Sequence, residues 1–135
     1  MASDRLWRNR DGKIVILDSS AVMMLFEFSI DLEDELTRLL GLYHIVVPKP
    51  ILRELTFLSE KGMGKKNIKA RAALKLIEKY DTVEVKEKTG DDAVMALAKQ
   101  TGGIVVTNDR ELRKRLKEQS LSVVFLRAKK RLMIG

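Results

Sequence analysis

Apolar residues along this chain fall into two alternating kinds of run. The first kind is short, unbroken and β-branched: residues 13–17 (KIVIL), 44–48 (HIVVP), 81–85 (DTVEV), 104–107 (IVVT) and 122–126 (SVVFL). Runs of that length and chemistry predict strands buried on both faces. The second kind spaces its apolar residues by three and four. "SSAVMMLFEF" predicts a turn into a short helix. "DLEDELTRLLGLY" predicts a helix opened by Asp31, with Leu32, Leu36, Leu39 and Leu40 on one face and Gly41 as its stop. "KPILRELTFLSEKG" predicts another, with Pro50 tolerated in the first turn. "ARAALKLIEKY", "DDAVMALAKQTGG" and "DRELRKRLKEQ" complete the set, the second closed by glycine. The stretch "KGMGKKNIKA" reads as a basic, glycine-bearing loop, residues 1–12 as a basic N-terminal extension, and residues 127–135 as a basic C-terminal tail.

Unbroken strands alternating with helices predict a parallel sheet covered on two sides, one three-layer α/β/α domain spanning residues 1–135. No repeat or low-complexity linker interrupts it. In such sheets ligands bind beyond the carboxyl ends of the strands, where the winding reverses. Several carboxylates fall at such places. Asp18 ends the first strand, Asp109 lies two residues past the fourth, Asp91 opens the helix between the third and fourth, and Glu54 lies one turn into the helix after the second. Each also has a plain structural explanation, since Asp is a favoured helix N-cap and Glu54 borders a helix face. Their joint placement carries the information.

Clustered carboxylates raise one another's pKa, and a hard divalent cation removes that conflict. Oxygen ligands suit Mg²⁺ or Mn²⁺, one ion or two. The chain has no Cys and one His, so a zinc-thiolate site, a disulfide framework and a Cys nucleophile are excluded. His44, at the mouth of a strand, fits packing or surface better than ligation. Metal-activated water and a charge of +7 together suit phosphodiester hydrolysis of a polyanion. No apolar stretch reaches membrane-spanning length and the N-terminus lacks an apolar h-region, so a cytoplasmic protein with no membrane partner is expected.

Other phosphate chemistries fit less well. A haloacid-dehalogenase phosphatase needs a second Asp where Ser20 stands. A response-regulator receiver needs its acid after the third strand, whereas Asp81 precedes it. "LDSSAV" carries no dinucleotide fingerprint, and "GMGKK" lacks the spacing and the preceding strand of a P-loop.

The segments "IVILDSSAVM", "VPKPILREL" and "GDDAVMALAKQTGGIVVTNDREL", in that order, resemble the PIN-domain nucleases over nearly the whole chain. Asp91 stands eighteen residues before Asp109, the spacing common in that family, with Ala98 and Gly102 in their usual places. The resemblance implies a five-stranded parallel sheet ordered 3-2-1-4-5. It also implies four acidic metal positions, Asp18, Glu54, Asp91 and Asp109, with Asp92 the rival to Asp91. Around them it places Ser19, Thr107 and Asn108. The implied activity is a Mg²⁺- or Mn²⁺-dependent ribonuclease leaving 5′-phosphate and 3′-hydroxyl ends. "SEKGMGKKNIKARAALKLIEKY" and "VVFLRAKKRLMIG" look most like archaeal relatives of the small-subunit rRNA-processing PIN nucleases, which implies an rRNA precursor as substrate. Two alternatives stay open: a toxin ribonuclease with an antitoxin partner, and an RNA-binding assembly module without turnover.

RNA phosphates have three basic runs to meet. Lys61, Lys65, Lys66, Lys69 and Arg71 lie in the expected loop, which combines backbone freedom with charge. Arg110, Arg113, Lys114, Arg115 and Lys117 follow the last acid, where Arg110 is placed to hold a phosphate or offset the acids. Arg127, Lys129, Lys130 and Arg131 lie in the tail. Trp7 is the only indole, so base stacking is not a main source of affinity. "AVMMLFEF" is expected in the core, with a homodimer face as the alternative.

Overall fold

The computed structural model describes residues 12–135; residues 1–11, which hold Trp7 and nearly all of the expected N-terminal extension, lie outside the described residues. The chain runs β1 (Lys13–Leu17), α1 (Ser19–Glu27), α2 (Leu32–Leu40), β2 (Tyr43–Pro48), α3 (Lys49–Lys61), α4 (Lys65–Ile77), β3 (Asp81–Val83), α5 (Gly90–Thr101), β4 (Ile104–Val106), α6 (Arg110–Glu118), β5 (Ser122–Arg127) and β6 (Arg131–Ile134). The sheet order is β3-β2-β1-β4-β5-β6. β1 pairs in parallel with β2 on one side and β4 on the other, so the winding reverses between β1 and β4. Consecutive residues of a strand point to opposite faces, and Val15, Ile16 and Leu17 are all fully buried, as are Val105 and Val106. Both faces of the sheet are therefore covered, which is why these strands read as unbroken apolar runs.

Several helix boundaries follow local chemistry. Asp31 caps α2, its side chain accepting from Asp34 N–H at 3.1 Å, and Gly41 ends that helix at φ +74°. Pro50 sits in the first turn of α3. In α1, Ala21, Val22, Met24 and Leu25 are buried in the core and Phe26 is exposed.

Two expectations are corrected. The first is the loop, most of which is helix. α3 ends at Lys61, the junction spans Gly62 to Gly64, and α4 is already formed at Lys65. Its start carries no Ser, Thr or Asp cap, only Gly64 at φ +61°, and its buried face is made mostly of small Ala70 and Ala73 with Ile77. Asn67 Nδ2 donates to Ser59 O at 2.6 Å and ties α4 to α3. Tertiary packing supplies what local signals lacked.

The second correction is the tail. β5 runs to Arg127, turns through Ala128 and Lys129 at positive φ, and returns as β6, antiparallel to β5. The sheet thus has six strands, five parallel and one antiparallel, rather than five. Turns with successive positive φ usually advertise themselves as Asn-Gly or Asp-Gly, and Ala-Lys does not. Leu132, fully buried, is the residue that seats β6. Its N–H donates to Glu35 Oε1 at 2.9 Å and its carbonyl accepts from Arg38 Nη2 at 2.8 Å. Two side chains of α2 thereby satisfy the backbone that a sheet edge leaves bare.

Candidate active site

Leu17 and Val106, the last residues of β1 and β4, are register partners. The next residues, Asp18 and Thr107, are consequently brought side by side at the carboxyl ends of adjacent strands. Asp18 N–H donates to Val106 O at 3.1 Å and Thr107 N–H to Val124 O at 3.0 Å, which extends the ladder on both sides of this point. Asp18 is only 4% exposed. It precedes α1 without capping it, because its carboxylate is turned to other donors. Asp18 Oδ2 accepts from Ser20 Oγ at 2.5 Å and from Thr107 Oγ1 at 2.8 Å. Burial nevertheless raises its pKa above the ordinary value; the Ser20 and Thr107 hydroxyls and Ser19 N–H oppose that rise, and the charge of Asp109 adds to it.

Thr107 is fully buried and serves two acids, since its Oγ1 also accepts from Asp109 N–H at 3.1 Å. Asp109 Oδ1 caps α6 by accepting from Leu112 N–H at 3.1 Å. Glu54, on α3, has its Oε1 held by Ser19 Oγ at 3.1 Å. A Cβ on Gly90 would stand 2.7 Å from Glu54 Oε2, so the missing side chain at the start of α5 leaves room for this carboxylate. Glu54 is pushed up in pKa by partial burial, and by Asp18 and Asp91. Asp91 is pushed up likewise, by burial first and then by Asp18 and Asp109. Asp18 feels the charge of Asp109, Glu54 feels Asp18 and Asp91, and Asp91 feels Asp18 and Asp109, so the four carboxylates are linked in one electrostatic cluster.

Asp92 points elsewhere. It is exposed and pairs with Arg115 at 3.1 Å, and that hydrogen bond lowers its pKa. The cap of α5 is neither acid but Thr89, whose Oγ1 accepts from Asp92 N–H at 3.2 Å. Asn108 also turns away from the acids: its Oδ1 accepts from Leu126 N–H at 3.0 Å and braces β5. His44 is remote, at the amino end of β2, where Nε2 meets Asp81 Oδ2 at 2.8 Å. Two contributors escaped the sequence reading. In the sequence Ser20 reads only as a missing Asp, although Asp-x-Ser at a strand end is able to fold the hydroxyl back onto the acid. Gly90 stood beside the acid pair without a stated role.

Of the basic residues, Lys61 ends α3, and Lys65, Lys66, Lys69 and Arg71 ride the first turns of α4, Lys69 pairing with Glu27 at 3.0 Å. Arg110 opens α6 directly after Asp109. Lys129 lies over the Phe28 ring at 5.5 Å, and Arg127 Nη1 approaches Met133 Sδ at 3.8 Å.

The donor set is all carboxylate and hydroxyl oxygen, which matches a hard divalent cation. Among the described residues, no three Asp, Glu or His side chains stand arranged around one ion position as they are. Asp18, Glu54 and Asp109 each have one oxygen held by a hydroxyl or a backbone N–H, so an ion would compete with those bonds or take the other oxygen.

A family model for the PIN-like domain matches residues 15–129. The chain belongs to the PIN-like domain family. Ribonuclease VapC9 of Archaeoglobus fulgidus is 31% identical over 134 residues, covering 99% of this chain and 97% of that protein. Ribonuclease VapC4 of Methanocaldococcus jannaschii is 31% identical over 120 residues, covering 86% and 92%. The solved structure of the PIN domain endonuclease Utp24 superposes with a TM-score of 0.73 at 19% identity over 90% of each chain. A domain of a functionally unknown protein from Methanocaldococcus jannaschii gives 0.62 at 24% identity, over 86% of this chain and 92% of that one. The PIN-like fold is thus shared with both structures, β3-β2-β1-β4-β5 forming its parallel part. No helix among the described residues is long and apolar enough to cross a membrane.

Proposed function

We propose that this PIN-like chain is a metal-dependent ribonuclease that hydrolyses RNA phosphodiester bonds, leaving 5′-phosphate and 3′-hydroxyl ends. The observation that carries this is the cluster of four acids at the winding reversal, three of them held above their ordinary pKa by burial and one another. Asp18, Glu54, Asp91 and Asp109 would hold Mg²⁺ or Mn²⁺. When bound, the ion supplies Lewis-acid activation of water and stabilises the departing oxygen. Thr107 and Ser20 orient Asp18, Ser19 orients Glu54, and the α6 cap fixes Asp109, so the chain's own part is to hold three carboxylates close to the fourth, Asp91, where an ion would draw them together. Names of the relatives, both ribonucleases, support RNA as the substrate.

The biological setting has two readings. Relatives named Ribonuclease VapC favour a toxin ribonuclease with an antitoxin partner, and processing of an rRNA precursor stands second. Growth arrest on expression alone, relieved by a co-expressed neighbouring gene product, separates the first from the second.

Cleavage of a labelled RNA in Mg²⁺, Mn²⁺ or EDTA tests the activity. Asp18→Asn and Asp91→Asn are expected to abolish it, whereas Asp92→Asn, which loses only an exposed pair with Arg115, is expected to keep it. RNA binding without metal-dependent cleavage in the wild type would leave an assembly module instead. Cleavage that survives Asp18→Asn and Asp91→Asn would remove this site from the chemistry.

A further inference from the structure

A shallow groove of about 600 Å³ runs along α6, lined by Arg110, Arg113, Lys114, Lys117 and Glu118. We infer that this groove is a binding track for the RNA backbone, anchored by Arg113, that seats the phosphates next to the one at the acids. This rests on RNA being the substrate.

The four cations fall at i, i+3, i+4 and i+7, within a sector of about 100° on the helix. Leu112 and Leu116, fully buried, occupy the opposite side, so the basic stripe is the face the core does not use. Alone, that describes a solvated face. Three further observations set it apart. None of the four cations makes an ion pair among the described residues, whereas Arg115, on another face of the same helix, is paired with Asp92. Arg113 is not splayed into solvent: its guanidinium lies 3.9 Å from the centroid of the Phe125 ring on β5. Its Nε is buried and has no hydrogen-bond acceptor. A planar cation held by stacking on an aromatic ring is preordered for an oxyanion, which its terminal nitrogens rather than the buried Nε would meet.

The occupant follows from continuity. Asp109 caps α6 and Arg110 is its first residue, so the groove begins where the acid cluster ends. A single small anion has no need of four cations spread over eight residues. At about 1.5 Å per residue the stripe is about 10 Å long, more than one phosphate group spans, so it reaches neighbouring phosphates of one strand. The acids repel a polyanion, and an adjoining row of unpaired cations offsets that repulsion.

Fluorescence anisotropy with a labelled single-stranded RNA in EDTA, which keeps the RNA intact, tests the assignment. The double variant Lys114→Ala/Lys117→Ala leaves both the core and the Phe125 stack untouched. Its affinity is expected to fall about 25-fold at 0.1 M salt, and its salt slope by about 1.4, from about 0.7 per phosphate contact. Arg113→Gln is expected to weaken binding at least as much as either lysine change made singly. Lys75→Ala/Lys99→Ala, the same charge change on exposed positions of α4 and α5, is expected to lose much less. Wild-type binding with an unchanged dissociation constant and slope in Lys114→Ala/Lys117→Ala overturns the track and leaves the ribonuclease proposal standing. Absence of salt-dependent RNA binding in the wild type overturns the track, and absence of cleavage in Mg²⁺ or Mn²⁺ as well overturns both.

Discussion

Thr107 Oγ1 donates a 2.8 Å hydrogen bond to Asp18 Oδ2 although 89 positions separate the two residues. The same oxygen accepts from Asp109 N–H, so one hydroxyl links the first and last acids of the cluster. Thr107→Val keeps the shape and removes both bonds. A half-buried N–H and a buried carboxylate oxygen lose a partner, and stability is expected to fall by about 1–3 kcal/mol in thermal or urea unfolding. Mn²⁺ affinity, measured by calorimetry, is expected to drop about 10- to 100-fold because Asp18 is no longer oriented. Unchanged ion affinity would reduce Thr107 to a packing residue.

Asp18 sets a pH dependence of unusual sign for a carboxylate. Its folded pKa is raised above 3.8 by burial. The folded state therefore holds the proton more tightly than the unfolded state, and the metal-free fold is most stable below that ordinary value. Stability is lost as pH rises through the folded pKa. Asp18→Asn removes this ionisation, so in EDTA at neutral pH it is expected to melt higher than the wild type, with a flatter profile. Adding Mn²⁺ should raise the wild-type Tm and leave the variant's in place. A variant that melts lower at every pH would contradict the sign.

Gly90→Ala places a methyl 2.7 Å from Glu54 Oε2 and 2.8 Å from Ile51 Cδ1. Both atoms are ends of flexible side chains and can retreat, and alanine stabilises by about 0.4–1 kcal/mol by lowering the entropy of the unfolded chain. Net stability is expected to change by less than about 1 kcal/mol. Cleavage is expected to fall about 10- to 100-fold as Glu54 is displaced. A fully active Gly90→Ala enzyme would show that Glu54 does not need its place beneath α5.

Glu35 and Arg38 hold the last strand through Leu132. Glu35→Ala leaves the Leu132 N–H without an acceptor, and a loss of about 1–3 kcal/mol is expected, with fast hydrogen exchange confined to residues 127–134. The hydrogen bond from Arg38 lowers the Glu35 pKa below its ordinary 4.5, and Leu132 N–H lowers it further. This contribution is present above 4.5 and is lost as pH falls through the depressed value, the opposite of Asp18. Glu35→Gln, which still accepts from Leu132, is expected to keep much of the stability and lose the pH dependence.

The order of strands and helices was legible in the sequence because each element carries its own period. Ile14 to Leu17 and Ile104 to Val106 read as doubly covered strands, and Asp18 and Asp109 as acids at or just past their ends. That the two strands are neighbours came from the family resemblance, because right-handed crossovers permit more than one strand order. Whether Asp91 or Asp92 faces those acids was not legible, since neighbours on a helix point about 100° apart and the packing of α5 against the sheet and α3 sets the rotation. Nor was β6, whose single buried residue, Leu132, is seated by partners nearly a hundred positions away. The Arg113–Phe125 stack and the Glu54–Gly90 fit belong to the same class. Local patterning determines which residues repeat on a face, because that is a property of a few consecutive dihedrals. Which side chains meet across elements is decided only when the whole core excludes water at once.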